Sequence, residues 1–409
     1  MSTINDSKAL ALADAGFTGN NLPDNELAWL QSTGATSSNL NDAWLEYLEG
    51  LGYTTGTMQD RLMSKLIADG YTGTLSDMLS EMYKAGLSVS VNIADVFSVD
   101  LYTGNQTART ITNGVDLDAN GGMVWLNCRS SNSDPNRMTD TVRGVNKSVN
   151  SDDSGTELTS FSDCLTAFNS DGFDLGVDAS AWGFNRTGKT YAAWTFGIAS
   201  KFFNAVAYSG NSTVGREIPH GLGIQAGLVI IKRLDGAGVN WNAQHRSRGG
   251  TKVLLFDTNS TEFTGTTYWN DVAMDDTNVT FSDYAGNNNT GNNYIMYAFA
   301  HDPSDTGVIQ CGEYAGNGSA NGVTVDLGWK PQYVMIKRYN ISTGSWVIFD
   351  TTRGESTTDA ELYADSSAIE VNNTNRVEFL SNGFRAKGGG SITNDSGSDY
   401  IYMAIREEA

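Results

Sequence analysis

The chain has 409 residues, of which 39% are hydrophobic and 18% charged, and its formal net charge is −21 at pH 7. A surface this acidic repels phosphate backbones and anionic lipids, which argues against a nucleic-acid reader or a protein that docks on membranes. The three cysteines, Cys128, Cys164 and Cys311, have no metal-ligand or redox spacing, so a disulfide scaffold is excluded and a reducing compartment is favoured.

The first residues, MSTINDSKALALADAG, contain no basic segment followed by a long apolar core, so we expect no secretory signal peptide. No later apolar run reaches the length of a membrane span. These features predict a soluble protein that is made in a cytoplasm.

Residues 1–87 carry a short repeat that predicts helices. A three-residue phrase ending in Asp recurs every 17 or 18 residues, each time after a Thr or an Asn, at Ile4–Asp6, Leu22–Asp24, Leu40–Asp42, Met58–Asp60 and Leu75–Asp77. The Thr or Asn is a typical helix N-cap, the Asp suits the positive end of the helix, and a Gly follows where a C-cap belongs. We therefore predict five short helices of about three turns each.

Helices this short are not stable alone in water, so their apolar stripes must be covered. The third unit places Trp44 and Leu48 on one stripe at helical spacing, and Trp29 lies in the unit before it. Two arrangements are open: the stripes pack on each other, or Trp29, Trp44 and Leu48 dock on a partner.

A longer repeat begins near residue 88. Tyr102, Tyr208 and Tyr314 start Tyr-x-Gly-Asn phrases that lie 106 residues apart. Hydrophobic runs ending in Arg, Arg-Gly dipeptides and aromatic terminal runs recur in the same order at nearly the same spacing. We predict three copies of one unit of about 105 residues.

Each copy consists of short β-branched or aromatic runs bounded by Gly, Asn, Asp or Ser, as is typical of strands. The predicted fold is mainly β with an α N-terminal module: three tandem antiparallel β-sandwich or jelly-roll-like domains after an array of five short helices. The predicted domains are the helical module at 1–87 and β repeats at 88–198, 199–303 and 304–409. The repeated Tyr is expected to pack at a strand end, and the repeated Gly-Asn to form a turn with positive φ.

The residue patterns of common enzymes are missing from the sequence. The three histidines, His220, His245 and His301, form no metal-binding pair, and there is no nucleophile elbow, phosphate loop or dinucleotide fingerprint. The phrase Asp116-Leu-Asp118-Ala-Asn120-Gly121 resembles half of a calcium loop, but Asn127 stands where the bidentate Glu belongs, and an Asx-type turn explains the phrase as well. We expect no enzymatic activity, no cofactor and no metal.

Two features are candidate ligand contacts. Trp241 and Trp346 align 105 residues apart beside Arg-Gly turns, where a Trp can either stack on a sugar face or fill the core. The loop at 287–293 is rich in Asn, and Asn288 and Asn289 lie in it. If these four residues bind a ligand, a glycan is the class that suits them.

The second copy, YSGNS…EIPHGLG…GLVIIKR…HRS, and the third, YAGNGSANGVTVDLGWKPQYVMIKR…SWVIFDTTRG, resemble a repeat of tail-fibre and other virion surface proteins of tailed bacteriophages. The first copy departs from it, with VDLDANGGMVWLNCR in place of the GLG turn. The resemblance implies a non-enzymatic structural protein on the virion surface, either a tail fibre or appendage or a capsid decoration, assembled in the host cytoplasm.

The resemblance also implies partners: other virion proteins, host surface polysaccharide, and further copies of the chain, a trimer in the case of a fibre. The helical module would dock to the particle and the β repeats would project, without binding nucleic acid or inserting in a membrane. A tandem carbohydrate-binding protein and a tailspike-type glycan depolymerase stay open as alternatives, and the depolymerase would need two carboxylates at a defined separation.

Overall fold

The computed structural model describes residues 91–355, 358–372, 374–388 and 392–408. In these residues the secondary structure is almost entirely β, with one helical turn, α1 (Ile93–Val96), and one 3₁₀ turn, η1 (Arg246–Arg248). The predicted helical module at 1–87, with Trp29, Trp44 and Leu48, lies outside the described residues.

The first repeat forms two antiparallel sheets. Its strands are β1 (Phe97–Thr103), β2 (Arg109–Thr112), β3 (Gly122–Cys128), β4 (Arg137–Asp140), β5 (Val149–Asn150), β6 (Leu165–Asn169), β7 (Gly172–Leu175) and β8 (Thr190–Gly197). The large sheet has the order β1-β8-β3-β4-β5 and the small sheet the order β2-β7-β6. The terminal strand β8 therefore lies between the first and third strands of its repeat.

The second repeat follows the same plan. Its strands are β9 (Phe203–Ser209), β10 (Arg216–Pro219), β11 (Ala226–Arg233), β12 (Asn242–His245), β13 (Lys252–Leu255), β14 (Phe263–Thr264), β15 (Asn278–Phe281) and β16 (Asn293–Ala300). The large sheet has the order β14-β13-β12-β11-β16-β9, and β10 pairs with β15. Again the terminal strand, β16, lies between the first and third strands.

The third repeat has the fullest set of strands. They are β17 (Ile309–Ala315), β18 (Val323–Asp326), β19 (Pro331–Arg338), β20 (Trp346–Asp350), β21 (Ala360–Tyr363), β22 (Val371–Asn372), β23 (Val377–Leu380), β24 (Gly383–Ala386) and β25 (Asp399–Arg406). The sheets have the orders β17-β25-β19-β20-β21-β22 and β18-β24-β23. All three repeats thus share one topology, and all their strand pairs are antiparallel.

The large sheets are covered on both faces. In β3, Val124 and Leu126 pack in a core with the small sheet of the same repeat, whereas Met123 and Trp125 point the other way. The face that carries Met123 and Trp125 packs in a central core to which all three repeats contribute. This core includes Trp125, Trp194, Trp241, Tyr333 and Trp346. The three repeats are therefore joined by apolar packing, and Val91–Ala409 form one compact unit.

The predicted fold class is wrong. The structure has a single body with a shared central core instead of three tandem sandwiches, and no array of five helices occurs among the described residues. The reason is visible in runs such as GMVWLNC in β3, in which every residue is buried. Continuous apolar runs indicate strands covered on both faces, whereas a sandwich strand with one solvated face alternates apolar and polar residues. The proposed limits at 198/199 and 303/304 stay predictions.

The repeated tyrosines occupy equivalent positions. Tyr102, Tyr208 and Tyr314 each lie opposite a Tyr of the terminal strand and stack on it, with ring centroids 5.0–5.1 Å apart. Each hydroxyl donates to a backbone carbonyl at 2.6–2.8 Å, at Phe184, Asn287 and Thr393 respectively. The expectation that these rings pack at strand ends is confirmed.

The glycine of each Tyr-x-Gly-Asn phrase is needed for close backbone approach. A Cβ on Gly104, Gly210 or Gly316 would lie 2.2–2.3 Å from a carbonyl oxygen of the loop before the terminal strand. None of the three has a φ in the left-handed region, so the predicted positive φ is wrong at these positions. Crowding by a carbonyl, which the local sequence does not reveal, explains the glycine instead.

We expect Gly210→Ala to lower the free energy of unfolding by about 2–3 kcal/mol, because the new Cβ meets the backbone oxygen of Asn289 at 2.2 Å and forces the chain to shift. Gly291→Ala is the matched control: φ is +82° and the space around it is open, so only the left-handed backbone should cost about 1 kcal/mol. Urea denaturation followed by Trp fluorescence measures both, and equal losses would contradict the crowding argument.

Candidate functional site

One set of contacts between repeats lies at the start of β4, β12 and β20, where Asn136, Trp241 and Trp346 occupy equivalent positions. Trp241 Nε1 donates to Asn150 O at 3.0 Å in the first repeat, and Trp346 Nε1 donates to Leu255 O at 2.9 Å in the second. Asn136 Nδ2 donates to Tyr363 O at 2.8 Å in the third. Each of the three side chains therefore reaches the preceding repeat, with the first reaching back to the third.

A second set of contacts lies at the end of the same strand and runs in the opposite direction. Asp140 accepts from Tyr297 Oη of the second repeat at 2.7 Å, and Asp350 accepts from Trp194 Nε1 of the first repeat at 3.0 Å. The middle position is His245, whose Nε2 lies 3.2 Å from Tyr402 O of the third repeat. The three repeats thus form a closed ring with pseudo-threefold symmetry.

The middle junction differs because His245 is neutral. Its Nδ1 accepts from the Ser247 amide at 3.3 Å, so Nε2 carries the proton that is donated to Tyr402 O. Burial lowers the pKa of His245 to about 3. A neutral imidazole offers no charge to a cation, and Arg248 pairs instead with Glu262, at 2.8 Å. In the equivalent place Arg353 pairs with Asp350 at 2.7 Å.

Buried lysines lie beside Trp241 and Trp346, and one of them bonds across a junction. Lys232 donates to Val239 O at 2.9 Å, and Lys337 donates to Thr258 O of the preceding repeat at 3.0 Å. Each ammonium also lies 5.6 Å from the ring centroid of the neighbouring Trp. Burial lowers the pKa of both lysines to about 8. Their role is to bind carbonyl oxygens inside the ring, where solvent does not reach.

Three carboxyls at the same level of the ring make its stability depend on pH. Burial raises the pKa of Asp152 to about 7 and that of Asp257 and Asp365 to about 6, against 3.8 in the unfolded chain. The folded state therefore holds more protons above pH 3.8. The stability these groups contribute is complete below that pH and is lost as the pH rises through about 6 to 7.

We expect the free energy of unfolding to fall less between about pH 5 and about pH 7.5 in the triple variant Asp152→Asn, Asp257→Asn, Asp365→Asn than in the unaltered chain. The difference should be at least about 1 kcal/mol per carboxyl. Asn keeps a neutral acceptor at each position and does not ionise. Urea midpoints at the two pH values give the difference. Parallel pH dependences in the two proteins would show that these carboxyls do not titrate in that range.

The outer surfaces of the three junctions differ: two are closed by side chains and one is open. At the junction of the second and third repeats, the ring of Tyr339 lies 3.9 Å below the guanidinium of Arg248. At the junction of the third and first, Arg129 binds Glu370 through two hydrogen bonds of 2.8 and 2.7 Å. At the junction of the first and second, Leu234 stands where Tyr339 stands in the third repeat. This shorter side chain leaves a cleft of about 450 Å³.

We call this space the 1/2 cleft; it is lined by Val142, Arg143, Lys147 and Glu157 of the first repeat and by Ala207, Tyr208, Ser209, Leu234, Asp235, Asn293 and Tyr294 of the second. Both signs of charge meet there. Arg143 is bound on its inner side to Asp140 at 2.6 Å, whereas Lys147 is 45% exposed and 3.9 Å from Glu157. The cleft is a concave, partly open part of the described surface with both polar and apolar lining, as small-molecule sites have.

The sequence-predicted ligand residues do not meet in this cleft. Trp241 and Trp346 are 0% and 2% exposed, so they fill the core, which was the alternative considered for them, and a glycan cannot stack on either. Asn288 is buried: its Oδ1 accepts from the Asn211 amide at 3.0 Å, and its Nδ2 donates to Thr213 O at 3.0 Å. Asn289 is half-buried and donates from its amide to Tyr294 Oη. The bonds of Asn288 hold the Tyr-x-Gly-Asn turn, and that of Asn289 joins the loop to the terminal strand.

The remaining candidates have local roles. Asp116 Oδ1 accepts from the Ala119 amide at 2.9 Å, as in an Asx-type turn, and Asp118 is exposed. Among the described residues, no group of three or more His, Cys, Asp or Glu could hold a metal ion. His220 is buried in a turn and accepts from the Leu222 amide. No helix in the described ranges is long and apolar enough to span a membrane.

Sequence reasoning missed the 1/2 cleft, although a signal for it exists. The residue after each strand-ending Arg is Ser130, Leu234 or Tyr339, so aligning the three copies shows a change in side-chain size at one position. That change becomes meaningful only once the ring places these residues at the junctions between repeats.

Comparison with known proteins gives a family but no activity. No curated protein matches the chain at a significant level. Among solved structures, the crystal structure of the STIV MCP is similar over 76% of this chain and 85% of that chain, with 6% identity and a TM-score of 0.18, which is too low to carry an argument. The family model of a domain of unknown function, DUF7483, matches residues 92–409. The chain therefore belongs to the DUF7483 family.

Proposed function

We propose that this protein is a non-enzymatic structural component of the surface of a tailed-phage virion, either a tail fibre or appendage or a capsid decoration. The observation that supports this most is the closed ring of three repeats. Trp241, Trp346 and Asp350 are buried, and the side chain of each makes a hydrogen bond with another repeat. Such a body resists local opening, because the contacts of each repeat are completed by its neighbours.

The chemistry of the described residues supports a role without catalysis. The three cysteines are buried, and burial raises the pKa of Cys128 to about 11 and raises that of Cys164 and Cys311 further. A thiol with a raised pKa is a poor nucleophile at neutral pH. His245 is held neutral inside a junction. These thiols and this imidazole are thus buried inside the protein.

In this proposal the N-terminal module at 1–87 docks to the particle through Trp29, Trp44 and Leu48, and the ring projects from it. The partners are other virion proteins, namely capsid, portal-tail or appendage proteins, and host surface polysaccharide. The net charge of −21 suits a particle surface that must stay soluble and must not bind nucleic acid. Association into a homotrimer is part of the proposal, and light scattering at three times the chain mass of 43.9 kDa would support it.

Immunogold labelling of purified virions with an antibody against the ring tests the proposal. Label at discrete positions on intact particles supports it, and the position separates a tail appendage from a capsid decoration. Particles that lack the protein altogether, while infected cells contain it, would overturn the proposal. A chain lacking residues 1–87 should be missing from particles if that module docks.

A carbohydrate-binding role is a second candidate, because the 1/2 cleft presents charged and polar groups beside apolar side chains. Incubation with host polysaccharide distinguishes a binding protein from a depolymerase. Binding without cleavage favours a tandem carbohydrate-binding protein or an adhesive virion component. Release of oligosaccharides would favour a depolymerase instead.

A further inference from the structure

We propose that the 1/2 cleft binds an uncharged saccharide, with its hydroxyls on the charged rim and its carbon face on the apolar side chains. The proposal rests on the glycan contact in the proposed function and assigns to that contact a site and a class of ligand. The first observation is the comparison of the three junctions. Two are closed by Tyr339 or by the Arg129–Glu370 pair, whereas Leu234 leaves about 450 Å³ open at the third.

A volume of this size lies within the range of roughly 300–1,000 Å³ that is usual for small-molecule sites. It is also formed between parts that cannot easily close on each other, because the first repeat is fixed to the second by Trp241, Asp140 and Arg143. A site that is already open in the folded protein binds without an ordering penalty.

The balance of charge argues for a neutral ligand. The cleft contains two cationic side chains, Arg143 and Lys147, and two carboxylates, Glu157 and Asp235. An anionic ligand would meet both carboxylates, and a cationic one would meet Lys147, with the 3% exposed Arg143 behind it. A hydroxyl is suited to both signs, because it donates to a carboxylate and accepts from an ammonium.

Hydrogen-bonding groups remain free at the rim. Lys147 Nζ is 3.9 Å from Glu157, longer than a hydrogen bond. Asn293 accepts through Oδ1 from the Ser209 hydroxyl at 2.9 Å, and its Nδ2 has no partner among the described residues. Asp235 accepts from the Asn293 amide at 3.0 Å and from Arg233 Nε at 3.1 Å, but at 39% exposure its oxygens keep lone pairs that can accept from a ligand. The rim therefore offers both donors and acceptors to the hydroxyls of a sugar.

Apolar surface completes the site. Val142 is 43% exposed, Leu234 is half-buried and Ala207 is exposed. The rings at the edge of the cleft do not offer a stacking face, since Tyr208 is stacked on Tyr294 and on Phe281 with centroids 5.1 and 5.5 Å away. The aliphatic side chains are thus the surface on which the carbon face of a sugar would lie, and weak binding is expected.

Saturation-transfer-difference NMR of the full chain, with methyl glucoside, methyl galactoside and methyl mannoside as probes, tests the site. Methyl glucuronide and glucosamine serve as charged comparators. We expect at least one neutral pyranoside to bind with a Kd on the order of 1 mM, and to bind at least about threefold more tightly than both charged comparators. No signal with any neutral probe, or tighter binding of a charged one, would overturn the proposal.

Three variants locate the binding. Leu234→Tyr copies Tyr339 of the third repeat, fills the cleft, and should weaken binding at least about tenfold. Val214→Tyr adds the same group at a 60% exposed position that does not line the cleft, and should leave the Kd within about twofold. Lys147→Met keeps the side-chain stem, removes the ammonium, and should weaken binding about threefold or more. Unchanged binding by a folded Leu234→Tyr or Lys147→Met protein would refute the site, whatever immunogold labelling shows about the virion.

Discussion

Replacing Trp346 with Ala is expected to lower the free energy of unfolding by about 3–5 kcal/mol. The side chain is 2% exposed, its ring lies 5.1 Å from that of Phe256, and its Nε1 donates to Leu255 O at 2.9 Å. Both partners belong to the second repeat. Because the contacts cross a junction, the variant should weaken the whole ring, and calorimetry should show a single transition at lower temperature.

Two further variants separate the causes. Trp346→Phe keeps an aromatic ring in the core and removes the donor to Leu255 O, so we expect a loss of about 1–2 kcal/mol. Trp182→Ala removes the same atoms from a side chain that is 37% exposed, and should cost about 1–2 kcal/mol. If Trp346→Ala instead separated an early transition with about a third of the enthalpy, the repeats would unfold independently and the shared core would not be cooperative.

The sequence was sufficient to predict the strands and their repetition, but not the way in which the repeats associate. The spacing of Tyr102, Tyr208 and Tyr314 identifies equivalent positions because each ring is fixed by its own terminal strand. A ring closes through contacts between distant residues, such as Asp350 with Trp194, and no local pattern records these. Nearly continuous apolar runs such as GMVWLNC are a sequence signal for a second buried face, which the prediction of separate sandwiches did not use.

The candidate functional site, too, could be predicted from the sequence only in part. Trp241 and Trp346 looked equally suited to a surface and to a core, because sequence alone does not tell whether a Trp beside a turn is exposed. Their Nε1 atoms donate to carbonyl oxygens of neighbouring repeats, so both side chains lie in the core. The 1/2 cleft depends on Leu234, an ordinary residue that becomes informative only when the third repeat shows Tyr339 in its place.

Replacing Asp350 with Ala is expected to lower the free energy of unfolding by about 3–5 kcal/mol, because it leaves a buried cation without its closest partner. The carboxylate and the guanidinium of Arg353 are both 0% exposed and lie 2.7 Å apart. The same carboxylate oxygen, Oδ2, also accepts from Trp194 Nε1 of the first repeat at 3.0 Å. Urea denaturation followed by Trp fluorescence measures the loss. Glu370 remains near Arg353 but only at 3.4 Å, so it compensates in part.

Matched variants distinguish the buried charge from the lost hydrogen bond at this junction. Asp350→Asn keeps an acceptor for Trp194 and removes the charge. Its loss in free energy of unfolding should therefore be smaller than that of Asp350→Ala. Glu355→Ala breaks an ion pair with Lys330 in which the side chains are 45% and 32% exposed, and should cost at most about 1 kcal/mol. Should Asp350→Ala cost no more than Glu355→Ala, the third and first repeats would not be held together by this carboxylate. These two repeats would then be held by apolar packing and by the contacts of Asn136 and Arg129, and the carboxylate would serve only to orient Arg353 toward Trp194.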